Sequence, residues 1–353
     1  MTRSQTINSL KTCPIPDFDF DVITLGHGSG GALTHQLLES GVFDLLDNDF
    51  LKTRHDGAVL DWQGQMAFTT DSFVVSPIFF PGGNIGDLAV NGTINDLLMC
   101  GAIPRYLSLG FIIEESLRMD EFWQVVFSIK QACENAGVQV VTGDTKVVEK
   151  GKADKLFINT TGIGSIHPKA RIHPDRVSPG DAIIVSGDIA VHGLTIMSLR
   201  EGLTFETSLK SDTRSLNLEV SGMLDQFGEE IHLLRDATRG GVATVLNEIA
   251  KHISLGIDIY EDNLPVPSEV AGACEMLGLD PLYVANEGVF CAFVNADIQE
   301  ECIRYLRSLP GCEHAGIIGF VGSDHPEKVI LNSAIGGRRV VHMLPGDQLP
   351  RIC

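Results

Sequence analysis

Short apolar segments typical of strands alternate with segments typical of helices along most of this chain, and that alternation constrains the fold most. In the first half, the pattern predicts strands at 22–25, 66–75, 105–113, 138–148 and 154–164, and helices at 32–40, 85–102 and 119–137. We expect a loop at Asp71–Ser72 to interrupt the second of these strands, and a polar turn to follow the fourth. This order of strands and helices predicts a mixed α/β layer.

A second α/β unit follows a break in this pattern. Residues 165–180 carry three prolines and no periodicity, which predicts a linker. The full length of 353 residues fits two domains at about 150 residues each. The predicted organisation is a polar extension over 1–21, an N-terminal α/β domain over 22–165, a C-terminal α/β domain over 178–343 and a flexible tail over 344–353.

The net charge and the cysteine content limit which binding partners and which cellular compartment we expect. The net charge of −20 repels phosphate backbones and anionic lipids, so neither nucleic acid nor a membrane is an expected partner. No apolar run reaches the roughly 18 residues of a membrane span, and the N-terminus lacks a signal-peptide core, which predicts a cytoplasmic protein. The eight scattered cysteines form no CxxC pair, and most lie in apolar surroundings typical of buried, reduced thiols.

A glycine-rich segment, Gly26–Gly31, lies between a predicted strand and a predicted helix. Its glycines satisfy GxGxxG, so a dinucleotide-binding Rossmann turn is one interpretation. The acidic residues that follow about 20 positions later do not end a clear strand, which weakens that interpretation. A flexible loop that closes over phosphates with backbone N–H groups is the second interpretation, and a plain turn is the third.

Six aspartates stand at the ends of apolar segments, each beside a small or polar residue. Such loops allow hard oxygen ligands to approach Mg²⁺ on a polyphosphate. Any one of these residues alone is better explained as a cap or turn, but six in one chain favour a metal–phosphate site. The chain has no GxxxxGK[ST], so the pattern is not that of a P-loop enzyme. A nine-residue spacing puts Asp87 and Asp96 about 180° apart on a helix, so they face one site only if it breaks at Gly92. The six are Asp56, Asp71, Asp87, Asp96, Asp144 and Asp236.

Basic and acidic neighbours of these loops are further candidates. Lys146, in GDTK, can pair with phosphate or with oxyanion charge, or be an ordinary surface lysine. Glu287 precedes a buried strand and can be a general base or a turn residue. Arg235 and Arg239 flank Asp236 ahead of a predicted helix, which is either an anion-binding helix start or a cap with ion pairs.

The chain ends in Leu-Pro-Arg-Ile-Cys. Two nearby prolines favour an extended arm, and a terminal Cys353 thiol on such an arm suits a carrier of a reacting group. An incidental last residue is the alternative. Because we expect the tail to contribute little to the core, truncation at Gly346 should leave folding unaffected.

In combination and in this order, these motifs resemble the HypE family of hydrogenase maturation factors, the carbamoyl dehydratases. The resemblance covers about residues 22–353. It is carried by GHGSGG, a long segment that includes PGGNIGDLAVNGTINDLLMCGA, VTGDTKVV, RDATRGG, NEG and the terminal PRIC.

The resemblance implies the two-domain α/β (α+β) fold of the aminoimidazole ribonucleotide synthetase superfamily, with N-terminal domains pairing across a homodimer. It also implies ATP and Mg²⁺ as cofactors. The metal ligands would be Asp56, Asp71, Asp96 and Asp144. The nucleotide contacts would be Gly28, Ser29, Gly30, Gly31, Asp71, Asn95, Asp96, Gly143, Asp144, Thr145, Asp236 and Arg239.

The chemistry implied is ATP-dependent dehydration of a carbamoyl group on Cys353 to a thiocyanate. The carbamoyltransferase HypF would load the thiol, and an iron-carrying HypC–HypD complex would receive the cyanide for a [NiFe]-hydrogenase. Lys146 and Glu287 match the dehydration site, and the two roles of base and phosphate partner can be exchanged between them.

Two other classes remain open from the residues themselves. One is a soluble synthetase or kinase of the same superfamily, which would act on a small molecule without a covalent carrier. The other is a Rossmann oxidoreductase that depends on the glycines of 26–31. A scaffold without catalytic activity fits the acidic loop residues less well.

Overall fold

The structure, a computed structural model, describes residues 20–54, 57–202, 209–343 and 351–353. It confirms a two-domain α/β fold. No helix in these ranges is long and apolar enough to cross a membrane.

In its described part, the N-terminal domain contains a four-stranded sheet in the order β1-β6-β4-β5. β4 and β5 are parallel and α5 connects them, whereas the other neighbours are antiparallel. A separate short ladder pairs β2 with β3. The strands are β1 (Met66–Phe73), β2 (Phe79–Phe80), β3 (Gly83–Asn84), β4 (Ala102–Glu114), β5 (Gln139–Val148) and β6 (Leu156–Ile166), and the helices are α1 (Ala32–Leu37), α2 (Phe43–Leu45), α3 (Asp49–Lys52), α4 (Ile85–Met99) and α5 (Met119–Ala136).

Helix α4 lies at the centre of the molecule. Every one of its residues except Asp87 and Asp96 is buried. It contacts the four-stranded sheet on one side and the C-terminal domain on the other. The helix does not break at Gly92. A Cβ on Gly92 would lie 2.8 Å from Phe73 and 3.9 Å from the carboxylate of Glu287, so this glycine allows close packing at the domain junction.

The C-terminal domain is a mixed seven-stranded sheet in the order β13-β12-β9-β11-β7-β10-β8, counted over the residues described. Apolar clusters cover both faces, one continuous with the core around α4 and the other centred on α8. Its strands are β7 (Ala182–Val185), β8 (Ile231–Asp236), β9 (Gly256–Tyr260), β10 (Phe290–Val294), β11 (Gly316–Gly322), β12 (Val329–Asn332) and β13 (Arg338–Val341), and its helices are α6 (Val191–Arg200), α7 (Asn217–Phe227), α8 (Gly241–Ile253), α9 (Ser268–Leu277) and α10 (Gln299–Arg307).

Two predictions in the N-terminal half were wrong. Residues 22–25 do not form a strand: Val22 makes a single bridge to Arg118, and a 3-10 turn follows over Leu25–Gly28. β1 continues through Asp71 and Ser72 without a loop because both pair with β6. Polar side chains mark Asp71 and Ser72 because this edge strand is solvent-facing there, not because the strand ends. The fourth predicted strand, 138–148, is confirmed as β5, and turn and bend residues follow it over 150–155.

Candidate active site

An apolar cavity of about 210 Å³ opens beside strand β5. Leucine, valine and phenylalanine side chains make up much of its lining, and the exposed Asp144 and Lys146 mark its mouth. An apolar slot with few polar groups is typical of a site for a flat heterocycle. The lining residues are Gly28, Gly30, Thr34, Leu38, Val42, Phe43, Leu46, Leu51, Leu109, Phe111, Val140, Thr142, Gly143, Asp144, Thr145 and Lys146.

The glycine-rich segment forms one wall of this mouth. Gly28 approaches β5 so closely that a Cβ would lie 2.4 Å from the backbone nitrogen of Val147. Gly30 has a φ of +79°, and its N–H donates to the hydroxyl of Thr34 at 2.9 Å. The structure therefore brings Gly28 and Gly30 to the same cavity as Gly143–Lys146, whereas no strand leads into the segment as a Rossmann turn requires.

Asp144 and Lys146 form an exposed ion pair at the cavity mouth. The Nζ atom of Lys146 lies 2.5 and 2.7 Å from the two carboxylate oxygens of Asp144. Both side chains are more than half exposed, at 62% for Lys146 and 69% for Asp144. This lysine holds the pKa of Asp144 below its usual range, so the carboxylate is ionised and already has a cation beside it.

A second group of carboxylates lies at the domain junction, between β1, α4 and the end of β8. Thr69 donates its hydroxyl hydrogen to Asp96 at 2.9 Å. Burial, with Asp236 and Asp71 nearby, raises the pKa of Asp96 to about 7. Burial also raises the pKa of Asp71, with Arg239 opposing the shift, and the pKa of Asp236, with Arg235 opposing it. We refer to Asp71, Asp96, Asp236 and Glu287 as the junction carboxylates.

Glu287 is the most deeply buried of the junction carboxylates. Burial first, and then the charges of Asp212, Asp236, Asp71 and Asp96, raises its pKa well above the usual range. Its Oε1 atom is buried without a hydrogen-bond partner in the described residues. An unpartnered carboxyl oxygen surrounded by like charge is typical of a functional group that awaits a proton or a ligand.

Of the four predicted metal ligands, the three that the structure describes are not gathered in one place. Asp71 pairs across the sheet with Thr160, Thr160 with Leu109, and Leu109 with Gly143 next to Asp144. Three strand spacings put the two ends of that row about 14 Å apart. Within the described ranges, no three His, Cys, Asp or Glu side chains are grouped closely enough to hold a metal ion, and Asp56 lies outside those ranges.

Two other predicted contacts have structural partners. Asp87 accepts the backbone N–H of Asn84 at 2.7 Å, as part of the capping box of α4, and faces away from Asp96 as its spacing predicts. Asn95 is buried, and its amide bonds the backbone of Arg214, Leu216 and Glu287. Asn95 therefore positions the loop of Glu287, and its side chain does not point to the cavity.

The last three residues are seated on the protein at the junction. The N–H of Val74 donates to the carbonyl of Cys353 at 3.1 Å, and Arg351 donates to the carbonyl of Val74 at 3.0 Å. Ile352 is 2% exposed and belongs to the core around α4. The predicted extended arm with an exposed thiol does not describe these residues, because Cys353 is half-buried; 344–350 lie outside the described ranges.

Sequence reasoning missed two residues behind this arrangement. Asp212 accepts the N–H groups of Glu287 and Gly288 at 3.2 and 3.1 Å. His192 lies in the first turn of α6, and its Nε2 atom contacts the carbonyl of Ile352 at 2.9 Å. Neither residue stands in a recognisable motif, and only the folded chain brings Asp212 to the loop of Glu287 and His192 to the tail.

The sequence matches two related domain families, one in each half of the chain. The family "AIR synthase related protein, N-terminal domain" matches residues 54–166, and "AIR synthase related protein, C-terminal domain" matches residues 178–332. The carbamoyl dehydratase HypE of Azotobacter vinelandii is 47% identical over 332 residues, which is 94% of this chain and 97% of that protein.

Solved structures give the same result. A crystal structure of hydrogenase maturation protein HypE in complex with ATP has a TM-score of 0.90 at 48% identity, covering 94% of this chain and 99% of that one. A crystal structure of a HypE–HypF complex contains a chain with a TM-score of 0.77 at 43% identity, covering 89% of this chain and 100% of that one.

Proposed function

This chain belongs to the HypE family of carbamoyl dehydratases, which act in hydrogenase maturation, and from that premise we propose that it dehydrates a carbamoyl group carried on its own Cys353. The observation that carries the proposal is the contact of Cys353 with Val74 at the domain junction, because the same junction holds Glu287, whose Oε1 atom has no hydrogen-bond partner in the described residues. A reacting group carried on the terminal thiol would need no separate small-molecule substrate. That arrangement favours the dehydratase over the soluble synthetase or kinase.

ATP binding is the next part of the proposal. The base of ATP would occupy the apolar cavity beside β5, and its phosphates would pass the mouth formed by Gly28, Gly30, Asp144 and Lys146. Backbone N–H groups and a lysine ammonium are suitable donors to phosphate oxygens. The relative solved with ATP has the same fold at a TM-score of 0.90.

The junction carboxylates fit a magnesium–nucleotide complex better than a metal ion alone. The charges of the three aspartates among them raise the pKa of Glu287. Only two arginines, Arg235 and Arg239, are described as opposing these charges, so the junction has more acidic than basic groups. Because no three carboxylates in the described ranges are close enough to bind an ion by themselves, phosphate oxygens would supply most ligands of Mg²⁺, and one or two of Asp71, Asp96 and Asp236 would complete them. When bound, the ion would neutralise charge on the transferring phosphoryl group.

The proposed reaction is a dehydration driven by phosphoryl transfer. The carbamoyl oxygen on Cys353 attacks the γ-phosphorus of ATP, and ADP leaves. Loss of the two N–H protons, one to a base of the protein and one to the departing phosphate, and cleavage of the C–O bond release phosphate and form the S–C≡N group. We assign Glu287 as the base that removes an N–H proton, because its Oε1 has no other partner described. Lys146 would pair with phosphate oxygens at the cavity mouth.

Partners and assembly follow from the same premise. We propose HypF as the donor of the carbamoyl group, since a relative has been solved as a HypE–HypF complex, and a HypC–HypD complex as the acceptor of cyanide. We also propose a homodimer through the N-terminal sheet. The sheet face opposite α4 carries exposed Met66, Phe68 and Ile112, a patch that a second copy would cover.

We further propose a cytoplasmic location. All seven cysteines in the described ranges are thiols rather than disulfides, as expected in a reducing compartment.

The direct test is mass spectrometry of the C-terminal peptide after incubation with HypF, carbamoyl phosphate and ATP, followed by purification and a second incubation. We expect a carbamoyl adduct on Cys353 that loses the mass of one water only when Mg-ATP is added. Cys100, which is exposed, serves as an internal control for non-enzymatic modification. Cys353→Ala should form no product while binding ATP with unchanged affinity. An unmodified Cys353 in wild-type protein that hydrolyses ATP would contradict the proposal.

A further inference from the structure

One buried imidazole contacts the seated tail and has no part in the chemistry proposed above. His192 is completely buried at the start of α6. Its Nε2 atom lies 2.9 Å from the carbonyl oxygen of Ile352, and its Nδ1 atom lies 2.7 Å from the hydroxyl oxygen of Ser211. The ring of Phe80 packs edge-on against it, with centroids 5.7 Å apart. Both ring nitrogens are therefore used, and the ring has little freedom to turn.

The hydrogen-bond partners define which nitrogen carries the proton. A backbone carbonyl can only accept, so Nε2 must be the donor to Ile352. Burial lowers the pKa of His192, which favours the neutral ring, and Nδ1 then accepts from the hydroxyl of Ser211. The hydroxyl of Ser211 thus keeps the Nε2–H directed at the tail.

The same segment also holds the loop of Glu287. Asp212 follows Ser211 directly and accepts the N–H groups of Glu287 and Gly288. Ser211 therefore fixes the imidazole that contacts the tail, and the next residue, Asp212, fixes the loop that carries the assigned base. A shift of this segment would move both together.

A second tail contact from α6 is less protected. Arg200 donates to the carbonyl of Arg351 from a partly exposed position, where water can replace a lost bond. The carbonyl of Ile352 faces the buried His192 instead. Loss of the imidazole would leave that carbonyl without its donor in a place that water does not readily reach.

We propose that His192 is a positioning residue, whose Nε2–H holds the Ile352 carbonyl and so sets where the Cys353 thiol lies relative to Glu287. The inference rests on the proposed function, because it matters for catalysis only if Cys353 carries the reacting group. The seating itself is a property of the free full-length protein and is measurable without turnover.

Two amide variants separate the tail contact from the rest of the buried environment. His192→Gln keeps an N–H donor at the distance of Nε2, whereas His192→Asn reaches only as far as Nδ1 and loses Ile352. The first readout is the alkylation rate of Cys353 by iodoacetamide, followed on the C-terminal peptide with Cys100 as an internal reference. We expect His192→Asn to raise the Cys353 rate about tenfold, which corresponds to about 1.4 kcal/mol, and His192→Gln to stay near wild type.

A third variant keeps the test valid if His192→Asn does not fold. Ser211→Ala retains the imidazole and removes the hydroxyl that directs it, so it should accelerate Cys353 alkylation in the same direction. Equal Cys353 rates in the folded variants and wild type would overturn the inference. Acceleration at Cys100 as well as Cys353 would also overturn it, because that pattern reports general loosening.

Single-turnover dehydration distinguishes this inference from the proposed function. With carbamoylated Cys353 and saturating Mg-ATP, His192→Asn should slow the reaction about tenfold without changing ATP affinity, and His192→Gln should restore most of the rate. A wild-type protein that never gains a carbamoyl group would refute the proposed function and leave the alkylation result standing. Dehydration in wild type and an equal rate in His192→Asn would refute the inference alone.

Discussion

Acidic side chains are grouped in two places, the cavity mouth and the domain junction, and the two groups differ in exposure, in pairing and in the direction of their pKa shifts. At the mouth, Asp144 is exposed and paired with Lys146, and its pKa is held low. At the junction, Asp71, Asp96 and Asp236 are largely shielded from water, and burial raises the pKa of each. The described residues give Glu287 Oε1 no partner there at all.

The difference indicates that the cavity mouth and the domain junction have separate roles. At the mouth, the charge is balanced within the chain, so the region is ready to bind phosphate and costs the fold little. At the junction, the chain holds excess negative charge in a low-dielectric position, which reduces stability until a cation arrives. We therefore expect substitutions at the junction to change both stability and chemistry, and substitutions at the mouth to change nucleotide turnover alone.

The largest effect should come from the junction's assigned base. Glu287→Gln keeps the size of the side chain but cannot remove a proton, so dehydration of carbamoylated Cys353 should fall about a thousandfold. Loading of the thiol by HypF should continue. Single-turnover mass spectrometry measures both steps. Glu261→Gln, on an exposed glutamate that bonds Ser333, is the matched control and should retain full activity. A Glu287→Gln rate within tenfold of wild type would remove this residue as the base.

A smaller effect should appear in the pH dependence of stability. The pKa of Asp96 is about 7 in the folded chain and near 3.9 when unfolded, so the native state retains the proton more strongly. Stability from this group is therefore lost as pH rises from about 4 to 7. Asp96→Asn keeps an oxygen for the hydroxyl of Thr69 and removes the charge.

Urea unfolding at pH 5 and pH 8 measures this loss. At pH 8 we expect Asp96→Asn to be about 2 kcal/mol more stable than wild type, with a much smaller gap at pH 5. Binding of Mg-ATP should weaken in the same variant. A variant with the same pH dependence as wild type would show that Asp96 is ionised in the fold, contrary to the account of the junction.

The smallest stability effect should come from the cavity mouth. Asp144→Asn breaks an exposed pair, so the free energy of unfolding should change by less than about 0.5 kcal/mol. Mg²⁺-dependent ATP turnover should nevertheless fall tenfold or more, in a steady-state assay at fixed nucleotide. Lys52→Met, in an exposed pair with Asp47, controls for loss of surface charge. Unchanged turnover would remove Asp144 from the nucleotide site.

Much of the fold could be predicted because its periodicities are strong. The helix over 119–137 ends at Gly137 in a left-handed conformation, as its sequence indicates. The continuous apolar runs Ala182–Val185 and Phe290–Val294 form fully buried strands. One error came where polar residues occupy strand positions at an edge of the sheet. Asp71 and Ser72 look like a loop in sequence, yet they pair with Thr160 and Asn159.

The candidate site was only partly predictable, for a related reason. Local motifs identified the glycine-rich segment and Asp144–Lys146, which lie at one cavity. The contacts of Asn95 with Leu216 and of His192 with Ile352 link residues more than a hundred positions apart, so no local pattern encodes them. The tail shows the same limit: the burial of Ile352 leads us to expect that truncation at Gly346 lowers stability, contrary to the expectation from sequence.

The most direct test of this account is the protonation state of Glu287 with and without Mg-ATP. Infrared difference spectra of wild type against Glu287→Gln at pH 7 isolate its carboxyl band. The account predicts a protonated carboxyl in the nucleotide-free protein, because burial and neighbouring charge raise the pKa of Glu287, and its conversion to carboxylate when Mg-ATP binds. A carboxylate band already present without nucleotide, or a protonated band that persists in the complex, would contradict the assignment of Glu287 as a base primed by the cation.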